Sequence, residues 1–232
     1  LEGVPHLLAD VSDARALLAL EGQGAREVLA KGAPVTVLGH DWGASVAYGL
    51  AASQPALVSR LIVVNGVHPV PFQRAMCAGG AQSEASQYIN TLRSAGSEDR
   101  LAADDFARFM TLFSAKMDTG WLTGDVLDAQ KAIWRQSGLR GMIHWYRASP
   151  LIVADPGAPQ PMPDLPVARL RVHCPHLLIW GMEDTALLPQ STEGLEDFAT
   201  DLTRIEVSGA DHWICHQRPD TVAGAILDWV PT

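Results

Sequence analysis

A chain of 232 residues, 47% hydrophobic and 19% charged, can bury one sizeable core with room for an insertion. Its formal net charge of -9, without a basic cluster to follow a phosphate backbone, argues against nucleic acid as a partner. No apolar run approaches the roughly 18 residues of a membrane span. Leu1-Glu2-Gly3-Val4-Pro5 does not read as a secretory signal, and Cys77, Cys174 and Cys215 are an odd, scattered set, so a cytoplasmic setting away from membranes is expected.

Near 5–20, Leu7, Leu8, Val11, Ala14, Leu17 and Leu18 recur at helical spacing, with Pro5 suited to a first turn; a helix is expected there. Val35-Thr36-Val37-Leu38 is apolar enough for a parallel strand covered on both faces. A helix bearing Ala44, Ala47, Ala51 and Ala52 follows, ended by Pro55, and Leu61-Ile62-Val63-Val64 is the next strand. Residues 71–165 read as helices, with Phe106, Phe109, Met110 and Phe113 at helical spacing, as are Ile133 and Trp134 with nearby Leu127. They end in an extended, proline-rich connector from Pro156 to Pro166. Strands return at 177–180 and 203–207, and a last helix runs over about 219–230.

This alternation predicts an α/β fold, with a mostly parallel sheet and helices on both faces. The expected organisation is a first core part (1–70), a helical cap inserted over the active site (71–165) and a second core part (166–232).

Gly39-His40-Asp41-Trp42-Gly43 lies between the first apolar strand and its helix, with the spacing of the nucleophile elbow G-x-S-x-G and aspartate in the serine position. Serine attacking a saturated carbon would leave an ether that water does not readily open. A carboxylate leaves an ester, which water can cleave to restore the aspartate. An aspartate elbow therefore points to epoxides or alkyl halides, although aspartate also serves as a turn residue or N-cap at such junctions. Asp184 follows the strand at 177–180 and His212 the strand at 203–207, at the carboxyl ends where open α/β sheets hold functional groups. Nucleophile, acid and histidine in that order form a candidate triad of Asp41, Asp184 and His212. His173-Cys174-Pro175-His176 and the His212, Cys215, His216 group lack a usual zinc spacing. No metal and no cofactor is expected, and His40 reads as a packing residue that bonds locally.

The stretches 35–69, 86–90, 142–148 and 176–219, including VLGHDWGASVAYGLAASQP, MIHWYRA and SGADHWICHQRP, resemble the epoxide hydrolase branch of the α/β-hydrolase superfamily, whose close relatives include haloalkane and haloacetate dehalogenases. The resemblance implies a covalent mechanism beneath a helical cap, with a small apolar epoxide and water as partners and a vicinal diol as product. It makes Asp41 the nucleophile and His212, oriented by Asp184, the base. Tyr146 matches a cap tyrosine that hydrogen-bonds the epoxide oxygen, and Tyr88 resembles its companion. A phenol there can stabilise the charge that ring opening builds and deliver a proton. A haloalkane dehalogenase is the nearest alternative: Trp42 would hold a departing halide with Trp121 or Trp134. A haloacetate dehalogenase would want an arginine where Trp42 stands, and a serine-type esterase is disfavoured by Asp41.

The chain departs from the family pattern in one respect. Relatives usually carry further strands before the elbow and a His-Gly-x-Pro loop that helps form the oxyanion hole; nothing in this chain matches that loop. The backbone N–H of Trp42 is the one expected donor, and loss of such a donor costs ~2.7–4 kcal/mol of transition-state stabilisation. The strand at 35–38 is then expected to be a bare apolar edge. An N-terminal segment from a longer protein, or another chain in a homo-oligomer, would complete the sheet. A shortened, non-catalytic homologue that binds a ligand or partner is the alternative from another class.

Overall fold

The computed structural model describes the backbone of residues 6–10 and 17–21 and, in full, residues 34–114 and 116–230. Its centre is a six-stranded sheet built from β1 (His6–Asp10), β2 (Leu17–Glu21), β3 (Val35–His40), β4 (Val58–Val64), β5 (His176–Gly181) and β6 (Leu202–Val207), in the order β2-β1-β3-β4-β5-β6. Every neighbouring pair from β1 to β6 is parallel, and only β1 and β2 are antiparallel.

Two expectations are corrected at the N-terminal end. The expected helix over 5–20 is instead a pair of strands, with His6 opposite Glu21 and Asp10 opposite Leu17. Residues 11–16 and Pro5 lie outside the described residues. Leucines at 7, 8, 17, 18 and 20 satisfy a strand as well as a helix, and β3 needs a neighbour for its free hydrogen-bonding groups. As a result β3 is an interior strand, paired with β1 through Thr36, Val37 and Leu38 and with β4 on its other side.

Strand alternation divides the core in two. Val35, Val37, Leu61, Val63, Leu178 and Trp180 face one side, where they meet Ala44, Ala47 and Ala51 of helix α1 (Trp42–Ser53). Ile62, Val64, Leu177 and Ile179 face the other and meet Val222 and Ile226, carried by a C-terminal helix over Pro219–Trp229. The small side chains of α1 let its axis lie close to the sheet. Residues 61–64 and the whole of β5 are buried, as a parallel strand covered on both faces requires.

Between β4 and β5 the chain runs through α2 (Pro69–Cys77), α3 (Ala81–Ala85), α4 (Gln87–Arg93), α5 (Ser97–Ser114), α6 (Gly124–Ser137) and α7 (Arg140–Ala148). This insertion has its own core of Leu92, Leu101, Phe106, Trp134, Leu139 and Ile143, and it touches the sheet core through Tyr88, Tyr146, Leu151 and Val153. Helix α5 is broken where Asp104, Asp105 and Phe106 take φ of 53°, 53° and 66°. L-residues pay for that left-handed turn; the ion pairs of Asp105 with Lys131 at 2.9 Å and Arg135 at 2.5 Å, and burial of Phe106 against Trp134, hold it. The proline-rich connector is anchored rather than loose, since Gly157 and Gln160 donate backbone hydrogen bonds to Gly79 and Cys77 at the end of α2. After β6 the chain closes with α8 (Ile214–Gln217) and α9 (Pro219–Trp229).

Candidate active site

The turn at the end of β3 is tight enough to dictate its residues. A Cβ on Gly39 would stand 2.4 Å from the Gly43 carbonyl oxygen, so only glycine lets the strand and α1 meet. Asp41 itself takes φ 50°, a left-handed conformation outside the helix it precedes. Strain of this kind persists only where the surroundings enforce it. Here the Asp41 N–H donates to the Asn65 carbonyl oxygen and its own carbonyl accepts from Ala44.

Asp184 and His212 come to the same point from two other strands. His212 Nδ1 lies 2.8 Å from Asp184 Oδ2, and His212 Nε2 lies 3.5 Å from Asp41 Oδ1. Asp184 is buried yet fully supplied with donors: Ala186 and Leu187 N–H at 2.9 Å on Oδ1, and Asn65 Nδ2 at 2.9 Å on Oδ2 beside His212. Gly181 permits the approach of the His212 loop, because a Cβ there would meet the Asp211 carbonyl oxygen at 2.5 Å.

The electrostatics of the group are mutual. Burial raises both carboxylates, but His212 together with smaller contributions, from His40 and the Trp42 backbone N–H at Asp41 and from the Leu187 N–H and Asn65 at Asp184, holds both below the ordinary range. Burial likewise pushes His212 down, and the two carboxylates reverse this, lifting it to about 10. His40 is lowered to about 4 by burial and by the neighbouring His212 charge.

Tyr146 from α7 stands edge-on to Trp42 with ring centroids 5.1 Å apart, and Tyr88 from α4 stands edge-on to Tyr146 at 5.9 Å. Both tyrosines are partly buried against the sheet core. Burial raises both phenols, and the Asp41 carboxylate adds to the rise. Trp134 is elsewhere, packed edge-on against Phe106 and Phe109 in the core of the insertion. Trp121 stacks on His216 at 3.8 Å and reaches His212 only by way of Trp213. The indole beside Trp42 is instead Trp145, at 5.7 Å, with a buried Nε1–H that has no hydrogen-bond partner.

Three further residues serve the site. Asn65 carries φ 34° and joins Asp184 to the Gly181 backbone, donating to Asp184 Oδ2 and accepting the Gly181 N–H at 2.7 Å. His40 bonds through Nε2 to the His212 carbonyl oxygen at 2.7 Å, a partner 172 residues away rather than a local one. Asp211, next to His212 in the chain, accepts the backbone N–H of Asp118 in the insertion. A polar residue directly after an apolar strand was the only sequence signal for Asn65. Among the described residues no group of three or more His, Cys, Asp or Glu side chains is placed to hold a metal; His176 is bonded to Tyr48 and the Leu61 carbonyl instead.

Residues 2–225 match the family model described as the alpha/beta hydrolase family. The chain belongs to that family. Among α/β hydrolases of curated description, it is 29% identical over 196 residues to the AB hydrolase superfamily protein YfhM of Bacillus subtilis, covering 84% of this chain and 65% of that protein. It is 28% identical over 199 residues to epoxide hydrolase 4 of Mus musculus, covering 82% and 52%. A solved structure from the novel epoxide hydrolases belonging to the alpha/beta hydrolases superfamily in metagenomes from hot environments is 32% identical, with a TM-score of 0.72 over 88% of this chain and 70% of that one. The chain thus spans between half and two-thirds of the length of these curated relatives. No helix among the described residues is long and apolar enough to cross a membrane.

Proposed function

We propose that this α/β hydrolase opens a small apolar epoxide to a vicinal diol through an aspartyl ester, with residues 71–165 as a cap over the site. The observation that carries the reading is the pair of partly buried tyrosines, Tyr88 and Tyr146, packed edge-on at 5.9 Å and near enough to feel the Asp41 carboxylate. In the first step a carboxylate oxygen of Asp41 attacks an epoxide carbon, the carbon–oxygen bond of the ring breaks, and the alkoxide takes a proton from Tyr146. As the ester removes the Asp41 charge, His212 passes its proton through solvent to the Tyr146 phenolate. In the second step the neutral His212 takes a proton from water, the hydroxide adds to the ester carbonyl carbon, and the diol leaves as Asp41 is restored beside a protonated His212. Raised phenols remain protonated and able to donate, and a carboxylate held low remains ionised and able to attack.

The relatives named epoxide hydrolase support this substrate class. The assembled carboxylate–histidine–carboxylate group favours catalysis over a ligand-binding or partner-dependent module, and a cytoplasmic setting with water as the sole co-reactant suits the chemistry. One feature favours an alkyl halide: the unpartnered Trp145 N–H beside Trp42 could hold a departing halide, a part that Trp121 and Trp134 are not placed to play.

A single turnover of styrene oxide in heavy-oxygen water tests the proposal. The first diol should carry its new oxygen from Asp41, with solvent label appearing in Asp41 first. Immediate label in the diol overturns the ester route, and faster bromide release from a bromoalkane replaces the epoxide with a halide.

A further inference from the structure

The loop that carries His212 is fastened to the cap at a point the catalytic group does not use. Asp211, only 5% exposed, accepts the Asp118 N–H on Oδ2 at 2.7 Å and the Trp213 N–H on Oδ1 at 2.8 Å. Gln217 completes the contact: its Nε2 donates to the Asp118 carbonyl oxygen at 3.0 Å and its Oε1 accepts the Asp211 N–H at 2.9 Å. The amide and the carbonyl of one cap residue are therefore held by two side chains that also bond to each other's segment. Aromatic rings close the same contact. Phe113 stacks on Trp213 at 4.2 Å and Trp121 stacks on His216 at 3.8 Å, while Trp213 stands edge-on to His212 at 5.1 Å.

We propose that Asp211 and Gln217 are positioning residues that latch the cap at Asp118 onto the His212 loop, so that seating this edge of the cap and setting the imidazole are one event. Three features support the latch. A buried carboxylate needs donors, and of the two backbone N–H groups on Asp211 one belongs to the cap. Both bonds go to the backbone of Asp118, whose own side chain is occupied locally by accepting the Gly120 N–H. The His212 carbonyl is held by His40 at 2.7 Å and the Asp211 and Trp213 carbonyls by the Ile214 and Gln217 N–H groups, so the loop backbone is set from the core side while the Asp211 side chain reaches across to the cap. The kinetic part of this inference rests on the epoxide hydrolase reading; the latch itself does not.

Two near-isosteric variants break it. Asp211→Asn presents an amide hydrogen to the Asp118 N–H or loses the Trp213 bond, and Gln217→Leu removes both bonds of that side chain. Lys116 is exposed just before the latch, so limited trypsin digestion with mass detection of the cut after Lys116 reports the opening of this edge. In variants that melt with the wild type, cleavage there should rise roughly tenfold, since proteolysis follows the open population when opening is fast. Single-turnover kinetics should show aspartyl ester hydrolysis, the His212 step, slowed more than Asp41 alkylation. Unchanged cleavage in both variants overturns the latch. Faster cleavage with unchanged ester hydrolysis overturns its link to His212. Should the wild type open no epoxide, that failure belongs to the reading of the reaction; the link is then read from the ring resonances of His212 in Gln217→Leu, which must move, and unmoved resonances overturn it.

Discussion

Nε2 of His212 stands 3.5 Å from Oδ1 of Asp41, so the base of the proposed second step faces the nucleophile of the first. While Asp41 is ionised it helps to hold a proton on His212, which lies at about 10. An ester at Asp41 carries no charge, and that support for the proton disappears as the ester forms. His212 then becomes a better base when a base is needed. Asp41→Asn, which matches the neutral ester in shape, should move the His212 titration to lower pH, as followed by nitrogen-15 resonances of the ring. An unmoved titration would mean that Asp184 alone holds the proton.

Tyr146→Phe should slow epoxide opening by ~10²–10⁴, the usual reach of a positioned acid, with Tyr88→Phe acting in the same direction. Alkylation of Asp41 by an alkyl halide needs no proton and should survive both changes. Stopped-flow alkylation with styrene oxide and a bromoalkane compares the two; equal losses on both substrates would assign the phenols to packing.

Asn65→Ala should destabilise the fold and the site together. It leaves the Gly181 N–H without its acceptor and takes one donor from the buried Asp184, a loss of about 1–3 kcal/mol for each unsatisfied buried group. Alanine also tolerates φ near 34° less well than asparagine. Denaturant unfolding measures the first effect, and a shift in the acid limb of the pH–rate profile, from a raised Asp184, reports the second.

Stability should fall on mild acidification. His40, His68 and His176 are each lowered from 6.5 to about 4, with burial the leading cause. Between those values the unfolded chain binds more protons than the folded one, so stability is full above pH 6.5 and declines toward pH 4. The slope contributed is about 1.4 kcal/mol per pH unit for each proton. His212 has the opposite sign: its raised value stabilises fully below pH 6.5 and is lost as pH climbs through about 10. Urea titrations from pH 4 to 8 should show the acid decline, and His176→Gln should flatten it by one proton; an equal slope in that variant would remove His176 from the account.

Strand ends were legible where chemistry and pattern coincided. The elbow glycines announce a turn in which no Cβ fits, Asp184 follows an apolar run that forms a wholly buried strand, and His212 follows a mixed run whose strand is only partly covered. The N-terminal pair β1 and β2 was misread because leucines spaced 7, 8, 17, 18 satisfy both periods, and only the unpaired groups of β3 decide between them. Tryptophans were the weakest guide. Trp134 and Trp145 both lie on helices of the insertion, yet one fills its core and the other faces Trp42, a difference set by helix rotation rather than by composition.

By itself the sequence determined an α/β alternation and a glycine-flanked elbow bearing an aspartate, because strand period and glycine sterics are local properties, and its motifs carried the resemblance to the α/β-hydrolase family. The tertiary structure alone decided the partners: Asn65 on Asp184, His40 on the His212 loop, and Asp211 with Gln217 across to the insertion at Asp118. These are hydrogen bonds between segments as many as 172 residues apart. Such contacts leave no periodicity in the chain, since their geometry exists only once the sheet has ordered its strands.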